Sequence, residues 1–328
     1  MNENEIDCPE CLEPVDRRDF LRVLGGGAAA LAVGGVVAPA ASALHRAPVR
    51  ITPRPAESLC HELFGTLTAD QKRQLVLPWT SPNRLRTYNA AMNARINEAY
   101  TASQRELLQR IMRAISSGDE GYTKLARNGT WDTNGGFGAC GANFFGDVAE
   151  GQRWAWVFSG HHLTVRCDGN SAPDAAFGGP MYYGHGAEGN SVRNVFNFQT
   201  RAAQSVYDAL NENQRRRAIM PTNPGSSVQF RRNGYPGIPA TELTADQRRL
   251  VETVMRELLA PYRREDVDEV MEIVRRNGGL DRLHLGFFRA ANAAPGEWTY
   301  WRIEGPGFVW NYRVLPHVHC WVNIGMPA

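Results

Sequence analysis

The sequence predicts an α+β fold: an antiparallel β-sheet with packed helices, forming a single large domain. Three observations carry this expectation. Leu107, Leu108, Ile111, Met112 and Ile115 recur at helical spacing, aromatic and β-branched residues alternate from Arg153 to Arg166, and Gly/Pro turns divide 283–324 into strand-length pieces. Composition agrees. Of 328 residues, 43% are hydrophobic and 21% charged, which suits a packed globule rather than a disordered or collagen-like chain. The mean hydropathy of −0.40 argues against a polytopic membrane protein.

Residues 1–43 are set apart before the fold is considered. Asp16-Arg17-Arg18-Asp19-Phe20-Leu21-Arg22 precedes an uncharged Gly/Ala/Val/Leu run from Leu24 to Ala43, which ends in the small-x-small triplet Ala41-Ser42-Ala43. This pattern resembles a twin-arginine signal peptide. The expected location is therefore periplasmic or otherwise exported, with the twin-arginine translocase and signal peptidase as partners. Pro39 and the glycines disfavour an uncleaved anchor, and no membrane span is expected in the mature chain. Without this segment the balance is 33 basic to 27 acidic residues, a net of +6. Nearly all the positive charge is arginine, scattered without a basic stripe, so a nucleic-acid partner is not expected.

Residues 44–58 read as an extended lead-in to a domain over 59–328. Helices are expected over 59–128. Thr68-Ala69-Asp70-Gln71 and Thr101-Ala102-Ser103-Gln104 each place a capping hydroxyl three residues before a glutamine. Strands and Gly-rich loops are expected over 129–200, with one long strand from Arg153 to Arg166. Helices return over 201–278, where Asn211 to Gln214 and Thr244 to Gln247 repeat the capping chemistry. The unequal spacing of the four boxes reads as recurrent capping rather than a solenoid repeat. Antiparallel strands close the chain over 283–324, separated by Pro295-Gly296 and Gly305-Pro306-Gly307.

The chemistry-bearing residues are histidines. His317-Val318-His319 reads as a strand, so the two imidazoles project from one face roughly 6.5–7 Å apart at Cα and can converge on one cation. A further ligand must come from elsewhere. In the long strand, His162 shares parity with Trp154, Trp156 and Phe158, which suits a pocket; His161 shares the aliphatic parity and is expected to be a buried, hydrogen-bonded group. Hence His162, His317 and His319 are the expected metal ligands, for zinc or copper. His185, between Gly184 and Gly186, is a candidate proton donor or further ligand, with Glu188 nearby. Glu304 is the candidate general base on metal-bound water, with Arg302 on the same strand parity. Asp168, at the end of the strand carrying His162, is a candidate orienting carboxylate or general base, with turn capping as its alternative. Trp156, Tyr182 and Tyr183 are candidate pocket walls. No nucleophile elbow and no H-E-x-x-H is present, which excludes the commonest hydrolase templates.

Of six cysteines, Cys8 and Cys11 fall in the signal segment. Cys60, Cys140, Cys167 and Cys320 remain, and their three pairings stay open.

At these residues the chain resembles a bacterial family called domain of unknown function 3500. The pieces are Leu67-Thr68-Ala69-Asp70-Gln71, Trp154-x-Trp156 leading to Gly160-His161-His162-Leu163, Gly178-Gly179-Pro180, Tyr300-x-Arg302-Ile303-Glu304-Gly305-Pro306 and Pro316-His317-Val318-His319. The resemblance implies one domain and a shared histidine constellation, and it implies no substrate. It also implies glutamine in many relatives where Glu304 stands, and an Arg-Asp pair where this chain has Trp321-Val322-Asn323. Two function classes follow. One is an exported metalloenzyme, hydrolytic with zinc and oxidative with copper. The other is a non-catalytic cell-envelope protein that binds a glycan, peptide or other small or polymeric ligand.

Overall fold

The structure is a computed structural model that describes residues 55–149, 151–187, 189, 191–289 and 297–326. The arginine pair, the apolar run and the lead-in up to residue 54 lie outside the described residues, as does Glu188. The first helix, α1 (Pro55–Thr66), begins inside the segment expected to be extended; Pro55 suits a helix start, and Glu57 lies in the first turn. After it come α2 (Ala69–Leu75), β1 (Val76–Leu77), α3 (Ile96–Ala99), α4 (Ala102–Ala114) and α5 (Gly118–Leu125). Strands β2 (Gly141–Gly146), β3 (Trp154–Gly160), β4 (Leu163–Cys167) and β5 (Met181–His185) complete the first half. The second half holds α6 (Asn197–Ala209), α7 (Glu212–Ala218), β6 (Ile219–Met220), β7 (Ile238–Pro239), α8 (Ala245–Glu257) and α9 (Arg264–Arg276). It closes with β8 (His284–Phe288), β9 (Tyr300–Gly305), β10 (Phe308–Arg313) and β11 (Val318–Ile324). Among the described residues, no helix is long and apolar enough to cross a membrane.

The two halves are copies of one another. Helix α2 and strand β1 recur as α7 and β6, and α4 and the start of β2 recur as α8 and the start of β8, each 143 positions later. Thr101 to Arg113 and Thr244 to Arg256 are identical at seven of thirteen positions. Parallel pairing recurs with the same offset, Val76 opposite Phe144 and Ile219 opposite Phe287. The sheet order is β1-β2-β3-β4-β5-β11-β10-β9-β8-β6, with β7 paired to β8. It is therefore the same series read from both ends, meeting at the antiparallel pair β5–β11.

The four capping boxes are thus two pairs, each spanning 33 residues, rather than isolated helix starts. In the first, Gln71 and Gln104 cap their own helices and bond each other, Nε2 to Oε1, at 2.7 Å. In the second, Gln214 and Gln247 do the same at 2.9 Å. Amides paired this way lock neighbouring helix starts together.

The two faces of the sheet differ in kind. Trp156, Phe158, Tyr183, Cys320, Trp310 and Trp301 join the helices, through Leu108, Ile111, Val254, Met255 and Ile273, in one apolar core. The opposite face carries Asn143, Ser159, Thr164, Arg166, Arg302 and Asn311, all buried. Irregular backbone covers it rather than helices. Thr164 Oγ1 accepts from Tyr88 N at 2.6 Å, Ser159 Oγ accepts from Met92 N at 2.9 Å, and Arg302 Nη1 donates to Ser227 O at 2.8 Å. Side chains here replace the missing partners of loop backbone, so the loops can be buried without desolvation cost.

Candidate metal centre

The strand expected over 153–166 is a hairpin. β3 and β4 pair antiparallel with Gly160 opposite Leu163, and His161-His162 forms the two-residue turn. The parity assignment is therefore corrected: Trp154, Trp156 and Phe158 lie in the apolar core together with Leu163 and Val165. His162 reaches its place through the turn, at φ +53. A non-glycine residue pays for this left-handed conformation, at about 1–2 kcal/mol. In the second half the equivalent turn is Pro306-Gly307, with Gly307 at φ +72. Backbone bonding repeats as well: Gly184 N donates to His162 O at 2.9 Å, and Gly325 N to Gly307 O at 2.7 Å. One copy thus holds the glycine that the geometry favours, and the other holds a histidine.

That histidine meets the H-x-H pair. His317 precedes β11 and His319 lies within it; both are 3% exposed, and His162 is 2% exposed. The Nε2 atoms of His162 and His317 are 3.3 Å apart, and those of His317 and His319 are 2.8 Å apart. Ligand atoms of all three lie within 4.8 Å of one another. Tetrahedral zinc bonded to imidazoles at 2.0–2.1 Å holds its nitrogens about 3.4 Å apart, so the spacing fits a shared ion. Glycine permits the close approach. A Cβ on Gly184 would lie 2.5 Å from Val318 O and 3.0 Å from the His319 ring, and one on Gly186 would lie 3.2 Å from His162 Cε1.

Asp132 organises the centre, and no sequence signal marked it. Its Oδ2 accepts from His162 Nδ1 at 2.8 Å and from Gly186 N at 3.1 Å, while Oδ1 accepts from His185 Nδ1 at 2.6 Å. Burial alone would push the Asp132 carboxyl upward. The hydrogen bonds from His162 and His185 and the Arg127 guanidinium outweigh it and hold the group well below the usual carboxylate range. An ionised carboxylate only accepts, so His162 carries its proton on Nδ1 and presents the Nε2 lone pair to the other imidazoles. This carboxylate–imidazole arrangement orients ligands in metal sites generally. Asp132 lies in a loop where Arg127, Asn128, Trp131 and Asp132 all have positive φ. Arg127 Nη2 donates to His161 O at 2.8 Å, tying that loop to the hairpin turn. Backbone strain concentrated beside a polar cluster is characteristic of functional sites.

His185 is thus brought to the centre through the other oxygen of Asp132, at the end of β5 rather than in a loop. His161 is half-buried, with Nδ1 2.6 Å from Asp132 O. Tyr182 OH lies 3.4 Å from His319 Nδ1, whereas Trp156 and Tyr183 belong to the helical core. Glu304 is not brought to the histidines. Val309 pairs with Glu304 on one side and Asn323 on the other, so β10 separates β9 from β11, and the carboxylate lies four residues along from His319. Glu304 Oε2 instead accepts from Arg302 Nη2 at 2.7 Å. Asp168 accepts from Asn170 N and Ala172 N as a turn cap. The four described cysteines are free and buried.

Burial lowers the basicity of all three imidazoles. His162 falls to about 3 despite the Asp132 bond, His317 to about 4 with help from Arg313, and His319 well below its ordinary value for the same reasons. They are neutral donors at pH 7. An unfolded histidine takes up a proton below about pH 6.5 while the folded one does not, so stability is lost as pH falls. The metal-free protein is expected to lose stability from pH 6.5 towards pH 4, by up to about 1.4 kcal/mol per pH unit for each imidazole. Urea midpoints at pH 7.0 and pH 4.5 measure this; equal midpoints would contradict the assignment of three neutral buried imidazoles.

No curated protein and no solved structure matches the chain. A family model does match, over residues 54–322, which covers both halves, Asp132 and all three converging imidazoles. The chain belongs to the family described as "Protein of unknown function (DUF3500)".

Proposed function

We propose that this protein is an exported metalloprotein in which His162, His317 and His319 hold one zinc or copper ion and leave a position open for chemistry. The observation that carries this reading is the convergence of three Nε2 atoms around one point, with Asp132 fixing the His162 tautomer. Three neutral imidazoles with an open fourth position form the donor set of catalytic rather than structural zinc. Zinc there would lower the pKa of bound water to about 7 and support hydrolysis; copper would support oxidation. His185, held by Asp132 beside the ligands, is the residue we assign to proton transfer. Glu304, engaged by Arg302 two strands away, has no part in this reading.

Equilibrium dialysis of the metal-free protein against zinc and copper tests it. One tightly held ion per chain is expected, whereas no uptake, or uptake unchanged in His317→Ala, would overturn it. Export rests on Arg17, Arg18 and the apolar run that follows. Changing both arginines to lysine is expected to leave the precursor in the cytoplasm; normal appearance in the periplasm would refute the twin-arginine route.

A further inference from the structure

Of the imidazoles gathered around Asp132 and the converging nitrogens, His161 alone is not buried. Its ring stacks on that of His162, with centroids 3.9 Å apart and planes inclined at 25°. Nδ1 meets Asp132 O at 2.6 Å. A carbonyl only accepts, so Nδ1 carries the proton and Nε2 the lone pair. Among the described residues Nε2 has no hydrogen-bond partner, and it is not a buried atom. A nitrogen able to bind metal thus faces solvent one stacked ring away from a buried ligand.

The repeated half makes His161 stand out. There the equivalent turn is Pro306-Gly307, the ordinary chemistry of a turn. The neighbouring loop is tied to the turn carbonyl in both halves, by Arg127 Nη2 to His161 O at 2.8 Å and by Asn277 Nδ2 to Pro306 O at 3.0 Å. The backbone therefore asks for no imidazole at this position. His162 is accounted for by the nitrogen triangle, but His161 lies outside it.

Resting on the metal reading above, we propose that His161 is the entry ligand of the centre: its Nε2 captures the ion from solvent and passes it to His162, His317 and His319. Those three residues are 2–3% exposed, so a hydrated ion must shed waters to reach them. A neutral imidazole at the mouth replaces one of those waters before the ion moves inward. A ligand that serves only the passage lowers the barrier equally in both directions. It speeds uptake and release alike and leaves affinity unaltered.

Stopped-flow uptake of cobalt(II) by metal-free, full-length mature protein tests this through the visible bands of the bound ion, and release into a chelator gives the reverse rate. In His161→Ala and in His161→Gln both rates are expected to fall together, by about tenfold or more, with Kd unchanged. A ring that only held the Asp132 loop would leave uptake as it was and quicken release. That result, or unaltered rates in both variants, overturns the entry assignment while leaving the metal centre standing. Failure of the unmodified protein to bind cobalt, zinc or copper overturns the centre itself and this inference with it. The unmodified chain also gives a check that does not depend on either variant folding. Diethyl pyrocarbonate acylates exposed imidazole nitrogens, and cobalt uptake should slow in step with modification of His161, followed by peptide mass spectrometry. Uptake that stays constant as His161 is modified overturns the proposal.

Discussion

His319→Ala is expected to abolish stoichiometric metal binding while leaving a folded protein. The remaining imidazoles, His162 and His317, are 3.3 Å apart at Nε2, and two neutral nitrogens without a third donor do not hold zinc or copper firmly. The substitution also removes the acceptor 2.8 Å from Arg313 Nη2. The lost hydrogen bond and a vacated imidazole volume together cost about 2–4 kcal/mol. That is a clear loss of stability, yet less than a core this extensive requires to unfold. Metal content after dialysis and the urea midpoint separate the two effects. His185→Ala provides the contrast, because His185 bonds Asp132 and stands outside the nitrogen triangle. It should retain one ion per chain. Loss of the ion in His185→Ala with retention in His319→Ala would reverse the assignment of ligands.

Asp132→Asn is expected to have the second-largest effect. Asp132 receives Nδ1–H groups from His162 and His185 on its two oxygens. An amide offers one oxygen and one NH2 group, so it can accept from only one of the two imidazoles. The other must turn its ring or shift its proton to Nε2, and where that imidazole is His162 the proton blocks the ion. Loss of such an orienting carboxylate costs about 10- to 100-fold in metal affinity. Removing the charge also takes away the carboxylate whose field offsets part of the desolvation of the fully buried Arg127 guanidinium, so the metal-free form is expected to be less stable. Competition with a calibrated chelator measures the first quantity, and thermal unfolding of the metal-free form measures the second. Unchanged affinity would mean that Asp132 serves packing rather than the ligands.

What the sequence made legible was local. Alternating strands, capped helices and the shared face of His317 and His319 follow from periods of 2 and 3.6 residues and from capping chemistry, all within a dozen positions. His162 was identified for a mistaken reason. The His161-His162 turn contains none of the Gly, Asn or Pro residues that mark turns, so the alternation appeared to run through it. Glu304 shows the converse: it is near β11 in sequence, but β10 lies between the two strands. Asp132, 30 residues before His162, was beyond local reasoning because only the packed loop brings it to the imidazoles. Arg313 had a usable signal. Once 308–313 and 318–324 are drawn as a hairpin, residue 313 falls opposite residue 319. The duplication also left a readable trace in two capping-box pairs of equal span.

The imidazole centre is tested most directly by X-ray absorption at the metal edge of protein purified without an affinity tag. The account predicts three imidazole nitrogens at about 2.0–2.1 Å, and no stoichiometric ion in His162→Ala. A bound ion surrounded only by oxygen ligands, or by sulfur from the buried cysteines, would contradict it.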